Sequence, residues 1–176
     1  MRPGGEVNLT RPQVSSRRQA VVAARHLALM AGSSAPIDRH ESVMIKIVGG
    51  TKIKPKHRLS CHCGAVVLEL DLPDGIVNPR RCDCSMCRRR GAVVASVPLS
   101  GLRIVQGAES LRLYQFNTHT AKHHFCCHCG IYTHHQRRSN PGEYGYNVGC
   151  LEGVNPFALG PIPTMDGVNH PADRVG

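Results

Sequence analysis

The sequence predicts a small, mainly β domain of antiparallel sheets tied together by metal. Three observations lead there. Apolar residues alternate along short runs separated by turn signals, and no stretch from Lys54 onward sustains helical periodicity. Eight of the nine cysteines fall into three tight clusters, Cys61-His-Cys63, Cys82-Asp-Cys84-Ser-Met-Cys87 and Cys126-Cys127-His-Cys129, and seven of the eight stand at ligand spacing. Thiolates two or three residues apart are most simply explained as ligands of a shared metal ion.

Taken in order, residues 1–43 differ in kind from the rest. They hold no cysteine and carry Arg2, Arg11, Arg17, Arg18, Arg25 and Arg39 against Glu6, Asp38 and Glu41, with one helix-like stretch, Arg17 to Met30. A mitochondrial transit peptide shares that composition. The flanking Gly, Pro and Ser clusters favour a disordered leader, or translation that starts at Met44, where patterned sequence begins. Residues 44–160 read as one zinc-stabilised β domain. Gly64 to Leu70 places Val66, Leu68 and Leu70 on one face. Ala92–Val97, Leu102–Val105, Leu111–Phe116, Lys122–Phe125, Ile131–His135 and Tyr144–Leu151 follow as strands. Breaks fall at Pro73-Asp-Gly75, Pro98, Gly107, Asn140-Pro-Gly142 and Gly153. The arginines after Cys87 can form one helical turn. Residues 161–176, rich in Pro and Gly, read as a tail lying extended over the surface.

Composition narrows the function classes. At 176 residues with a 41% hydrophobic fraction, the chain fits one domain with a packed core. Aromatic residues are few, with no Trp, so zinc bound only by the folded state is a substantial gain, on the order of 10 kcal/mol. No run reaches the roughly 18–20 apolar residues of a membrane span, and no secretory core is present. An odd cysteine count and the C-x-C spacings of Cys61/Cys63 and Cys82/Cys84 argue for a reducing, cytoplasmic setting over a disulfide framework. The formal charge of +10 falls by three once seven thiolates hold two Zn²⁺ ions, leaving a moderately basic protein. Its dense basic runs, Arg80-Arg81 and Arg88-Arg89-Arg90, flank the second cluster, as a solvated edge or as a cradle for an anion. No G-x-x-x-x-G-K, G-x-S-x-G or H-E-x-x-H motif occurs.

The clusters sort by ligand arithmetic. Cys61 and Cys63, on one side of an extended segment, supply two ligands, and Cys126-x-x-Cys129 with Gly130 is a zinc knuckle that supplies two more. Together they make a structural Cys₄ zinc. Cys82, Cys84 and Cys87 supply three ligands. Three protein ligands plus an open position describe a catalytic zinc; a fourth ligand from Cys150, Cys127, His123, His124 or His128 would make a second structural one. Cys127 reads as a bystander and Cys150 as a buried small apolar residue. The doublets His123-His124 and His134-His135 lie on strands, so each offers at most one imidazole to a common site. Spacing fixes no His or carboxylate to the triplet as its proton-transfer residue.

These residues carry a resemblance. Ser60-Cys61-His-Cys63-Gly-Ala65, Arg81-Cys82-Asp-Cys84-Ser-Met-Cys87-Arg-Arg-Arg-Gly91, Phe125-Cys126-Cys-His-Cys129-Gly130 and Asn147-Val-Gly-Cys150-Leu151 together resemble the glutathione-dependent formaldehyde-activating enzyme family, which includes centromere protein V. The resemblance spans about residues 57 to 156. It implies a zinc β-tent with two Zn²⁺ per chain, Cys61, Cys63, Cys126 and Cys129 on the structural ion and Cys82, Cys84 and Cys87 on the catalytic one. The reaction it implies is that of a carbon–sulfur lyase, joining glutathione and formaldehyde as S-hydroxymethylglutathione. Glutathione is anionic, and Arg88, Arg89 and Arg90 are placed in sequence to meet its carboxylates. Two rivals belong to other classes: a non-catalytic zinc-binding module contacting nucleic acid, chromatin or protein partners, and a purely structural zinc protein or holdase. Against the first, no recognition helix and no aromatic residues interleaved with basic ones are present.

Overall fold

Alternation of buried and exposed side chains builds two antiparallel sheets. The computed structural model describes residues 42–170, so the leader, apart from Ser42 and Val43, and residues 171–176 lie outside the described residues. Three short strands come first, β1 (Met44–Ile45), β2 (Ile47–Val48) and β3 (Thr51–Lys52). The first sheet then forms from β4 (Lys56–Ser60), β5 (Val67–Asp71) and, after two further short strands, β6 (Ile76–Val77) and β7 (Arg81–Cys82), a later one. One helical turn, α1 (Cys87–Arg90), leads into β8 (Val94–Pro98) and β9 (Leu102–Gln106). The order of the first sheet is β4-β5-β9.

The second sheet uses β10 (Leu111–Tyr114), β11 (Lys122–Cys126), β12 (Tyr132–Gln136) and β13 (Glu143–Asn147), in the order β10-β11-β12-β13-β8. All its pairings are antiparallel. One buried cluster joins the two sheets, drawing Leu59, Leu68 and Leu70 from the first and Ala95, Val97 and Tyr146 from the second. Burying a Leu or Val side chain contributes about 1.5–3 kcal/mol, so this cluster dominates cohesion. His57, also buried, satisfies both ring nitrogens: Lys54 N donates to Nδ1 at 3.1 Å, and Nε2 donates to the Glu152 carbonyl at 3.0 Å. Among the described residues no helix is long and apolar enough to cross a membrane.

The mainly β, antiparallel class expected from the alternating pattern is the class observed. The element ends differ in instructive ways. The strand expected over Tyr144–Leu151 stops at Asn147, because the Asn147 side chain accepts from Gly149 N at 3.1 Å and turns Val148–Cys150 into a 3₁₀ turn. Cys61 and Cys63 sit in a turn, not on the extended segment expected; Gly64 N donates to Cys61 O at 3.1 Å. The first residues of the tail are extended, but they are also paired. β14 (Thr164–Met165) runs parallel to β7, with Thr164 opposite Arg81 and Met165 opposite Cys82.

Candidate metal centres and a basic cleft

Cys61 and Cys63 occupy the turn after β4, Cys126 ends β11, and Cys129 follows in the turn before β12. The four Sγ atoms lie within 4.8 Å of one another. Cys61 and Cys63 are 3.6 Å apart, Cys63 and Cys126 3.7 Å. A tetrahedral zinc with Zn–S bonds of about 2.3 Å requires sulfur separations of about 3.8 Å, so this donor set fits that ion. Local geometry holds the sulfurs there: Val66 N donates to Cys61 Sγ at 3.3 Å, and Gly130, at φ 71°, lets the second turn close with its N–H on Cys126 O.

The second group consists of Cys82 at the end of β7, Cys84 in the following loop and Cys87 at the start of α1, again within 4.8 Å. Among the described residues no fourth His, Cys, Asp or Glu joins it. None of the five candidates for that place joins the triplet, and His124 stacks instead on His134. His123 Nδ1 meets Arg90, His128 Nε2 meets Ser110 Oγ at 3.2 Å, Cys150 is buried against the Tyr132 carbonyl, and Cys127 is exposed. The thiols already polarise each other. A hydrogen bond from Cys87 holds the Cys82 thiol down to about 5, and as donor Cys87 is pushed far up. Converging sulfurs of this kind suit a thiophilic cation such as zinc.

The C-terminal segment crosses this triplet closely. Asp83 Oδ1 accepts from Gly167 N at 2.6 Å and Val168 N at 3.2 Å. A methyl group at Gly167 would overlap Cys82 Sγ and the backbone of Cys84, so only glycine permits the approach.

The triplet opens into a cleft of about 580 Å³. Arg80, Arg81, Arg88, Arg90, Arg137 and Arg138 line it, against Asp166 as the sole lining carboxylate among the described residues. Burial lowers the pKa of both Arg80 and Arg90, the cost of keeping a guanidinium charged away from water. Part of that charge is committed internally: Arg137 pairs with Glu143, and Arg80 donates to Ser96 Oγ at 2.7 Å. Of the three arginines expected at the substrate, Arg88 and Arg90 line the cleft, whereas the Arg89 guanidinium donates to Ser85 O at 2.6 Å and is not in the lining. Arg137 and Arg138 escape sequence reading because they follow β12, about fifty residues from the triplet; their one signal is the dibasic pair itself.

The cleft wall is built by β11 and β12. His123 and His135 are cross-strand partners with stacked rings, 5.1 Å between centroids, and both line the cleft. His124 and His134 stack likewise at 4.5 Å as the neighbouring pair. Burial, with Arg90 and His124 adding, lowers His123 to about 4, and burial does the same to His134, to about 3.

Fold and site thus define a small antiparallel β domain with two cysteine clusters suited to zinc, one of them facing a basic cleft. The glutathione-dependent formaldehyde-activating enzyme model matches residues 56–162, and the chain belongs to that family. A protein of Emericella nidulans named for the same activity is 29% identical over 82 residues, 44% of this chain and 41% of that protein. The chain therefore matches about two fifths of the length of this curated relative. The crystal structure of a Rhodobacter sphaeroides protein is 64% identical, superposes with a TM-score of 0.60, and covers 61% of this chain and 99% of its own.

Proposed function

We propose that this protein is a zinc-dependent enzyme of the carbon–sulfur lyase type, acting on glutathione or a related thiol and its aldehyde adduct. The observation that carries the reading is a three-thiol group, with no fourth donor among the described residues, at the wall of an arginine-lined cleft. In this reading Cys61, Cys63, Cys126 and Cys129 hold a structural zinc, and Cys82, Cys84 and Cys87 hold a reactive one. A zinc ion there would favour the deprotonated form of a substrate thiol and act as a Lewis acid. Arg88 and Arg90 meet the carboxylates of an anionic thiol and orient its sulfur toward the triplet. The working unit then includes residues 161–170, because Asp83 anchors them over the triplet. A concave cleft with converging guanidiniums favours a small anion over the flat, extended footprint of a chromatin module.

X-ray absorption and calorimetry test this together. The expected result is two zinc ions per chain, one with four sulfurs and one with three sulfurs and a light atom. Glutathione binding should weaken at least tenfold in Cys84→Ser, the loss of one good charge-assisted contact, about 1.4 kcal/mol. Four sulfurs at both ions, or glutathione affinity indifferent to Cys84→Ser, would sink the reading.

A further inference from the structure

Two imidazoles in the cleft wall have their proton positions fixed by their neighbours. Arg90 Nη1 lies 3.0 Å from His123 Nδ1. A guanidinium only donates, so Nδ1 accepts, and neutral His123 carries its proton on Nε2. The Tyr132 hydroxyl lies 2.5 Å from His135 Nδ1 and 3.4 Å from the Gly145 carbonyl. Burial pushes the Tyr132 phenol up, so it keeps its proton and gives it to the nearer acceptor, Nδ1. His135 thereby also carries its proton on Nε2. Neither Nε2 has a hydrogen-bond partner among the described residues, and both rings line the cleft that holds the triplet.

The backbone is shaped to make this arrangement. In a regular strand Tyr132 and His135, three apart, would face opposite sides. The register shifts between His124 and Phe125, so that His124 pairs with His134 but Phe125 with Tyr132, leaving Thr133 as the extra residue of a bulge. The bulge turns Tyr132 toward His135. Gly145, opposite His135, leaves the space its ring occupies; a methyl group there would overlap the ring. Arg90 sits 4.3 Å above the Tyr132 ring and reaches His123, tying both acceptors to one guanidinium. The charged and titratable groups around His135 are His123, Arg90, Arg80, Arg137 and Tyr132, and with burial the cations keep it neutral.

We infer that His123 and His135 form a neutral hydrogen-bond donor pair for the carbonyl oxygen of the aldehyde, with Tyr132 and Arg90 as positioning residues. This rests on the lyase reading. In the addition step the thiolate sulfur forms a bond to the carbonyl carbon, and the C=O π pair moves onto oxygen. That oxygen accepts the Nε2–H bonds and takes its proton from solvent, while the thiol's own proton has left to solvent; the lyase direction is the reverse. Neutral donors suit this task, because an imidazolium would protonate the thiolate it must leave reactive.

Nitrogen-15 histidine spectra and kinetics with glutathione and formaldehyde test it. Both imidazoles should show the Nε2–H tautomer from pH 5.5 to 8 without titrating near 6.5, and Tyr132→Phe should leave His135 a mixture of tautomers. His135→Leu should lower kcat about 100-fold, the size of losing one oxyanion donor, with the glutathione KM and zinc content unchanged. His135→Gln, which keeps an N–H near the Nε2 position, should recover most of that loss. An Nδ1–H tautomer at His135, or an active wild type with His135→Leu within twofold of it, overturns the inference while leaving the lyase reading standing. A wild type no faster than the uncatalysed reaction removes the lyase reading and the inference with it. Should His135→Leu fail to fold, the Tyr132→Phe tautomer spectrum decides: an unchanged His135 spectrum overturns the positioning role.

Discussion

Gly145 shows how much one residue carries in a fold this small. It lies at the middle of β13, where glycine ordinarily weakens a strand, and it is there because the His135 ring occupies the place of a side chain. Gly145→Ala should displace His135, break its bond with Tyr132 and destabilise the protein by about 1–3 kcal/mol, the cost of overpacking. Urea unfolding of the variant checks the number, and a loss under 0.5 kcal/mol would mean the ring moves freely. The sequence displayed this glycine inside an alternating segment but could not say what pressed against it. The partner is ten residues away, on the neighbouring strand β12, and only the pairing of β12 with β13 brings the two together. The two groups of cysteines were legible for the opposite reason: thiolate spacing is local, and the structure brings Cys61 and Cys63 together with Cys126 and Cys129.

At the scale of elements, the longer strands from β5 onward were legible, whereas β4 and the two-residue strands were not. β8 alternates over its five residues, and its buried Ala95 and Val97, like Leu68 and Leu70 of β5, belong to the shared cluster. β7 and β14 have two residues each and no alternation, so only their pairing reveals them. That pairing has consequences. Through it, Asp83 holds Gly167 and Val168 against the loop that carries the triplet, and Gly167 fits against Cys82 and Cys84. A chain ending at residue 160 should therefore keep its thermal transition within a few degrees while losing zinc affinity at the triplet by at least tenfold. Chelator competition followed by a metal-sensitive dye reads this directly. Equal release of both zinc ions in the truncated and full chains would show that the segment merely lies over the loop.

Across the whole molecule the two clusters differ in what a metal ion would join. Cys61 and Cys63 leave the end of β4 in the three-stranded sheet; Cys126 and Cys129 belong to the β11–β12 turn of the five-stranded one. A metal ion there would tie both sheets at one end of the shared core, whereas one held by the triplet would draw its three cysteines from residues 82–87 and close only a local loop. Metal binding restricted to the folded state adds on the order of 10 kcal/mol, comparable to the entire net stability of a domain, about 5–15 kcal/mol. Cys126→Ser removes a ligand from the bridging group and leaves a buried hydroxyl in an apolar place, since Cys126 is fully buried. It should abolish the cooperative thermal transition near ambient temperature. Cys84→Ser, at the half-buried triplet, should shift the midpoint by only a few degrees while removing one zinc ion. Circular dichroism melts of the two variants, with zinc content measured on the same samples, separate the roles. A Cys126→Ser protein that melts like the wild type would place the stability of the fold in its apolar core alone, and equal losses in both variants would make the triplet a second structural tie.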